Sequence, residues 1–132
     1  MRPITREWIE KAEEDYRVAR RERDAQPPVY TAVCFHAQQC AEKYLKAVLQ
    51  EQEHPFYRTH DLEALMKLCL SVIPELENYR ERLQWLTVFA VEARYPGMAA
   101  RRQDAERCFQ IAKSLRTRLR RHFGVIPRRG RR

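Results

Sequence analysis

The run from Tyr30 to Leu49 leaves the fewest choices for the fold of this chain. Drawn as a helical wheel, it carries apolar side chains over about two thirds of its circumference. A helix with so little polar surface must be surrounded by other elements, so the run predicts a central helix. Lys43 and Lys46 lie on its narrow polar side, which we predict to be a solvated face or, as the alternative, a basic strip.

Two polar residues, Gln38 and Glu42, fall one turn apart inside the apolar arc of this helix. A buried carboxylate without a partner costs several kcal/mol. Two interpretations stay open: Glu42 belongs to a satisfied polar cluster, or its side chain reaches water at a groove. For the cluster we expect Arg94 as the partner of Glu42, with His60 as the alternative.

Length and composition narrow the class of protein. The chain has 132 residues, 44% of them hydrophobic, with only three glycines, which predicts one soluble and mostly helical domain. No apolar stretch is long enough to span a membrane and the first residues lack a hydrophobic signal region, so we expect a cytoplasmic protein that binds no membrane. The four cysteines form no C-x-x-C pair and are predicted to be reduced core residues, and no metal or other cofactor is expected.

The net charge of +8 comes from the C-terminal part of the chain. Acidic and basic residues balance up to Leu115, and no acidic residue follows Glu106. The excess consists of Arg116, Arg118, Arg120, Arg121, Arg128, Arg129, Arg131 and Arg132. We therefore predict a helical bundle over residues 1–123 and a basic tail over residues 124–132. Such a tail binds nucleic acid or an acidic partner, or only keeps the chain soluble, and the sequence does not decide between these.

Five amphipathic segments, separated by prolines, make up the predicted bundle. They run from Thr5 to Arg23, from Pro28 to Gln52, from Thr59 to Val72, from Pro74 to Arg94 and from Ala100 to Phe123, with Thr5 and Thr59 as N-caps. Short connections favour an up-and-down antiparallel bundle of four to five helices. The second and fourth segments are apolar over more width than one packing seam needs, which predicts a homodimer through them, with Trp85 and Phe89 at the contact.

Arginines cluster at the turn after the fourth segment. Pro96 disfavours helix at the residue before it, and Gly97 permits a tight reversal into the fifth segment. Positive charge at the start of a helix is unfavourable unless an anion lies there. In the alternative interpretation, Arg94 pairs with Glu42 or Glu92 and the other arginines are solvated or cover a dimer partner. The residues predicted here to bind phosphate are Arg94, Tyr95, Arg101 and Arg102.

Four short strings carry a family resemblance. They are Trp8-x3-Ala12-x2-Asp15, the run from Phe35 to Ala47, His60-Asp61-Leu62-x2-Leu65, and Ala93-Arg94-Tyr95-Pro96-Gly97. Together they resemble the HEPN domain family (higher eukaryotes and prokaryotes nucleotide-binding), in its small stand-alone prokaryotic form, over about residues 6–122. The resemblance implies an all-α bundle that is usually dimeric. It also implies a gene often placed beside a minimal nucleotidyltransferase, in what look like toxin-antitoxin or defence modules.

Many proteins of that family are metal-independent ribonucleases. The resemblance implies a motif of an arginine followed four to six residues later by a histidine, with a polar residue of the second helix orienting the arginine. Arg94 occupies the arginine position and Glu42 or Gln38 the polar one, but no histidine follows Arg94 at this spacing. A second match, from Arg116 to His122, lies in the wrong helix. The guanidinium would hold phosphate and the imidazole would take a proton from the 2′-hydroxyl, so we expect weak or absent cleavage.

Three functions stay open for this chain. The leading hypothesis is a non-catalytic or weakly active homodimer that binds a nucleotide or RNA phosphate and partners a separately encoded nucleotidyltransferase. The rival is a metal-independent endoribonuclease toxin with an unrecognised base. The third is a structural dimerisation module. Besides the phosphate-binding residues, the candidate site includes a polar cluster of Gln38, Glu42 and His60.

Overall fold

The computed structural model describes residues 1–125, and within them the chain folds into five α-helices and one 3-10 helix, with no strand. The helices are α1 (Pro3–Asp24), α2 (Tyr30–Glu51), α3 (Leu62–Cys69), the 3-10 helix (Pro74–Tyr79), α4 (Arg80–Glu92) and α5 (Arg102–His122). The predicted all-α helical bundle is confirmed. Of the predicted tail, residues 126–132 lie outside the described part. In residues 1–125 no helix combines the length and the apolar character that crossing a membrane requires.

Helix α2 lies at the centre of the bundle. Thirteen of its residues are buried, and it contacts α1, α3, α4 and α5. On one side of it, Tyr16 of α1 stacks on Phe109 of α5 with the ring centroids 5.3 Å apart. The apolar width of α2 is therefore used for contacts inside the chain.

Helix α1 begins before the predicted N-cap. Pro3 is its first residue, where the missing N–H of proline costs nothing. Thr5 is buried in the first turn, and its hydroxyl donates to Glu51 at the end of α2 over 2.8 Å. The backbone N–H of Arg2 donates to the same carboxylate over 3.0 Å. Thr5 thus ties two helix ends together and does not cap its own helix.

The third and fourth segments are shorter than predicted. Asp61, not Thr59, caps α3, because its carboxylate accepts from the backbone N–H groups of Glu63 and Ala64 at 3.0 and 3.3 Å. The predicted helix from Pro74 begins instead as the 3-10 helix, and α4 ends at Glu92. Arg94 therefore lies in the turn, two residues beyond the helix that was expected to carry it.

All four cysteines are free thiols in the core. Cys34, Cys40, Cys69 and Cys108 are buried. Burial raises the pKa of Cys69 to about 12, and its Sγ lies 3.7 Å from the backbone oxygen of Leu45, to which it donates. Burial also raises the pKa of Cys40 far above its ordinary range. Cys40 and Cys69 therefore act as packing residues, and at neutral pH neither is a nucleophilic thiolate.

Candidate functional site

Glu42 lies at the centre of a hydrogen-bonded cluster on α2. Its side chain is only 4% exposed, and Lys46 donates to its Oε2 over 2.8 Å. Nδ1 of His60 lies 2.8 Å from its Oε1, while Nε2 of Gln38 donates to the backbone oxygen of His60 over 2.8 Å. The structure thus brings Gln38, Glu42 and His60 together. The expectation that Arg94 is the partner of Glu42 is wrong. The alternative partner, His60, does contact it, and Lys46, which was not expected, is the second partner.

The lysines of α2 are engaged in ion pairs. Lys46 is 6% exposed and its Nζ lies 5.5 Å from the ring centroid of Trp8. Lys43 donates to Asp15 of α1 over 2.6 Å. The prediction of a solvated face at these two lysines is therefore wrong. Lys46 reaches a buried carboxylate on its own helix, and Lys43 reaches one on α1.

Arg94 is exposed and packs against an aromatic ring. Its Cζ lies 4.7 Å from the ring centroid of Phe35 on α2. Within residues 1–125, no carboxylate lies within 4.0 Å of its guanidinium nitrogens. The hydroxyl of Thr31 donates to the backbone oxygen of Ala93 over 3.4 Å, which holds the start of the turn against α2. The guanidinium is therefore positioned by the ring of Phe35, and no carboxylate of the described residues pairs with it.

The other predicted phosphate-binding residues lie in different surroundings. Tyr95 is 63% exposed. Arg101 precedes α5, and Asp104 accepts from its backbone N–H over 3.0 Å and from its Nε over 3.5 Å. Arg102 is the first residue of α5 and lines a cavity of about 610 Å³ beside Arg23. Gly97, at φ 92°, supplies the reversal between α4 and α5. Arg94 is thus the one of the three arginines that is both exposed and held by an aromatic ring.

A second buried carboxylate is Asp15, which belongs to the first family string but was not among the predicted site residues. Its side chain is 10% exposed, and Oδ1 lies 2.8 Å from Nδ1 of His36 while Oδ2 accepts from Lys43. The His36 ring in turn lies edge-on to Phe35, with centroids 5.2 Å apart, so His36 and Arg94 contact the same ring. The signal was in the sequence: Asp15 falls on the apolar stripe of α1, as Glu42 does on α2.

Arg116, the arginine of the second match in the last helix, is engaged within the bundle. Arg116 is held by Glu13 of α1 through two hydrogen bonds of 2.7 and 2.8 Å. Burial alone would raise the pKa of Glu13, but the hydrogen bonds from Arg116 and Tyr44 outweigh it and hold the pKa below its ordinary value. Burial, with the nearby charge of Arg118, lowers the pKa of His122. The guanidinium of Arg116 therefore already donates to a carboxylate of the protein, Glu13.

A metal site needs several histidine, cysteine or carboxylate side chains close together. In the part of the chain that the structure describes, no group of three or more histidine, cysteine, aspartate or glutamate side chains is placed to hold a metal ion. The two histidine–carboxylate pairs, His60 with Glu42 and His36 with Asp15, each use the histidine Nδ1 and leave its Nε2 to other groups.

The comparisons with known proteins agree with this architecture. The family model for the HEPN domain matches residues 5–122. The chain therefore belongs to the HEPN family. Its fold is similar to that of ST0689, an archaeal HEPN homologue, at 26% identity, with a TM-score of 0.69, covering 89% of this chain and 96% of that one. It is similar to TT1696 from Thermus thermophilus with the same identity and coverage and a TM-score of 0.70. No curated protein matches it significantly.

Proposed function

We propose that this HEPN-domain protein is a cytoplasmic homodimer that binds the phosphate of a nucleotide or of RNA at Arg94. In this proposal it is non-catalytic or weakly active and partners a separately encoded nucleotidyltransferase. The observation that carries the binding site is the guanidinium of Arg94, which is stacked 4.7 Å above Phe35 and exposed. A stacked guanidinium keeps its planar fork of donors free, and that fork matches two phosphate oxygens.

The lack of a base close behind Arg94 supports binding over cleavage. The residues that follow it up to Arg101 include no histidine. Tyr95 is adjacent to Arg94, and a phenol is a poor general base near neutral pH. The segment from Arg94 to Arg101 thus supplies a cation for phosphate but no proton acceptor, which favours binding over cutting.

Helix α4 supports the homodimer. Trp85 and Phe89 stack on it with centroids 4.9 Å apart, while Val88 and Val91 are 54% and 45% exposed. Adjacent apolar side chains at this level of exposure are typical of a contact surface. The partnership with a nucleotidyltransferase has its support in the family resemblance, and recovery of that enzyme with the untagged protein from its native host tests it.

Titration of a nucleoside triphosphate tests the site. The parent, Arg94→Ala and the control Arg17→Ala, which removes an exposed arginine of α1, are compared by calorimetry. We expect a loss of tenfold or more for Arg94→Ala, because one charge-assisted phosphate contact contributes about 1.5 to 3 kcal/mol, and little change for Arg17→Ala. Equal affinities in the parent and in Arg94→Ala would exclude the site.

A second candidate function, a metal-independent endoribonuclease, is favoured by one observation. His36 lies against the ring that carries Arg94, and Asp15 binds its Nδ1. A carboxylate at Nδ1 leaves Nε2 as a proton acceptor for a ribose 2′-hydroxyl. RNA incubated with chelator distinguishes the two functions: cutting by the parent that is lost in both His36→Gln and Arg94→Ala supports the ribonuclease, and intact RNA supports the binding protein.

A further inference from the structure

The outward side of α5 carries two shallow grooves that join end to end. One, of about 390 Å³, includes Arg102 and Arg107 in its lining. The other, of about 340 Å³, includes Lys113 and Arg121. Gln110 lines both. At 1.5 Å per helical residue, the track from Arg102 to Arg121 is about 28 Å long.

Three arginines of α5 are already paired within the bundle. Arg116 and Arg120 both reach Glu13, at 2.7 and 3.6 Å. Arg118, at the edge of the track, donates to Glu75 over 2.7 Å. These three stabilise the bundle, so most of their charge is neutralised and cannot account for binding of an external anion.

Four other cations along the track have no carboxylate within 4.0 Å in the described residues: Arg102, Arg107, Lys113 and Arg121. The guanidinium of Arg107 is held 3.9 Å above Trp85, which itself stacks on Phe89. Nε of Arg121 is buried and has no hydrogen-bond partner within residues 1–125. The track therefore combines positioned, unpaired positive charge with a donor that lacks an acceptor.

We propose that this track binds the phosphodiester backbone of a nucleic-acid duplex, independently of Arg94. Between its cations lie Gln110, Ser114 and Thr117, which are the neutral side chains that contact phosphates. The aromatic faces nearby are covered, Tyr79 by Arg82 at 4.2 Å and Trp85 by Arg107. Proteins bind single strands by stacking the bases on exposed aromatic rings, and no such ring is open along the track. A duplex keeps its bases inside and presents its phosphates, which the cations of the track can contact.

A protein partner fits the track less well. Stable protein interfaces are anchored by buried aromatic or aliphatic side chains at their centre. Along the track the side chains are cations, amides and hydroxyl groups, with the covered Tyr79 and one carboxylate as exceptions. That carboxylate, Glu106, lies 3.6 Å from Arg23 of α1, so its charge is paired. Contact through phosphates alone predicts binding that does not depend on base sequence and that weakens steeply with salt.

Fluorescence anisotropy on the full chain tests the proposal. The probes are RNA and DNA duplexes of about 20 base pairs, long enough to cover the track, and an acidic peptide of glutamates. Arg107→Gln/Lys113→Gln/Arg121→Gln removes three of the four unpaired cations. The matched control, Arg6→Gln/Arg17→Gln/Arg21→Gln, removes three exposed arginines from α1 and so the same net charge.

We expect the track variant to bind duplex at least tenfold more weakly than the control, with a log-log salt slope lower by about 2 to 3 units. The RNA and DNA arms identify which duplex is preferred. Equal weakening in both variants, or a glutamate peptide that competes as well as duplex, would overturn the proposal. Because nucleotide binding is compared separately with Arg94→Ala, loss of the track and loss of the Arg94 site are distinguished.

Discussion

Lys46 follows Glu42 by one turn of α2, and the two form an ion pair of 2.8 Å with side chains only 7% and 4% exposed. In a pair this deeply buried, each charge depends on the other. Removal of one partner leaves the other charge buried without compensation, and its desolvation then lowers the stability of the fold. His60 supplies a second contact to the same carboxylate from the loop before α3. The cluster therefore couples the central helix to the chain segment that follows it.

Glu42→Ala is expected to lower the free energy of unfolding by about 3 kcal/mol, because it leaves Lys46 buried without a counter-charge. Urea denaturation measures this. The double variant Glu42→Leu/Lys46→Met removes both charges and should recover much of the loss. If Glu42→Ala unfolds at the same urea concentration as the parent, the ion pair does not stabilise the fold.

The stability of the protein should fall in acid through Glu13. Its pKa is held below the ordinary value in the folded state, so the unfolded chain binds the proton first. The contribution is present above the unfolded pKa of 4.5 and is lost as pH falls through the lower folded pKa. Unfolding free energies from pH 6 down to about pH 3 should therefore decline less steeply for Glu13→Gln than for the parent. Parallel curves would contradict this.

The homodimer should depend on the exposed side of α4. Light scattering on the parent is expected to give about twice the chain mass of 15.9 kDa. Val88→Glu/Val91→Glu places charge in the contact and should give the monomer, whereas Ile4→Glu, which replaces a 37% exposed residue of α1, should not. A monomeric parent would refute the dimer.

Deletion of Pro127 to Arg132 removes four arginines from the basic tail. If all four contact phosphate, the log-log salt slope of duplex binding falls by up to about four units. Binding of a mononucleotide should not change, because one small anion cannot engage a tail at several points. Loss of mononucleotide binding on this deletion would show that the tail, and not Arg94, holds the nucleotide.

The centre of the fold was predictable because the pattern of α2 repeats over many turns. For Glu42 the same pattern left two interpretations open, a buried cluster or a side chain that reaches water, and the structure shows the buried one. The partners of buried charges were not predictable in this way. Lys46 lies on the polar side of the wheel, yet its long side chain folds back to Glu42 beneath Trp8. Asp15 meets His36 only once α1 and α2 are packed in register.

Element ends also depended on local contacts that a periodic pattern does not contain. Both Thr59 and Asp61 are residue types that cap helices. The carboxylate of Asp61 accepts from the first N–H groups of α3, whereas the hydroxyl of Thr59 accepts from the backbone N–H of Asp61, so the helix begins after Asp61. Arg94 was expected to seek a carboxylate. The turn after α4 instead places it over Phe35, a residue far away in sequence, so the position of Arg94 was predictable from the sequence but its contact was not.

The four buried thiols make the protein its own probe of conformational opening. An alkylating reagent reaches Cys69 only when α3 moves away from α2, and reaches Cys34 or Cys108 only when the contact of α2 with α5 opens. Mass spectrometry of partly alkylated chains would therefore report the order in which helices detach. No label needs to be introduced, because the native cysteines already lie buried between the helices.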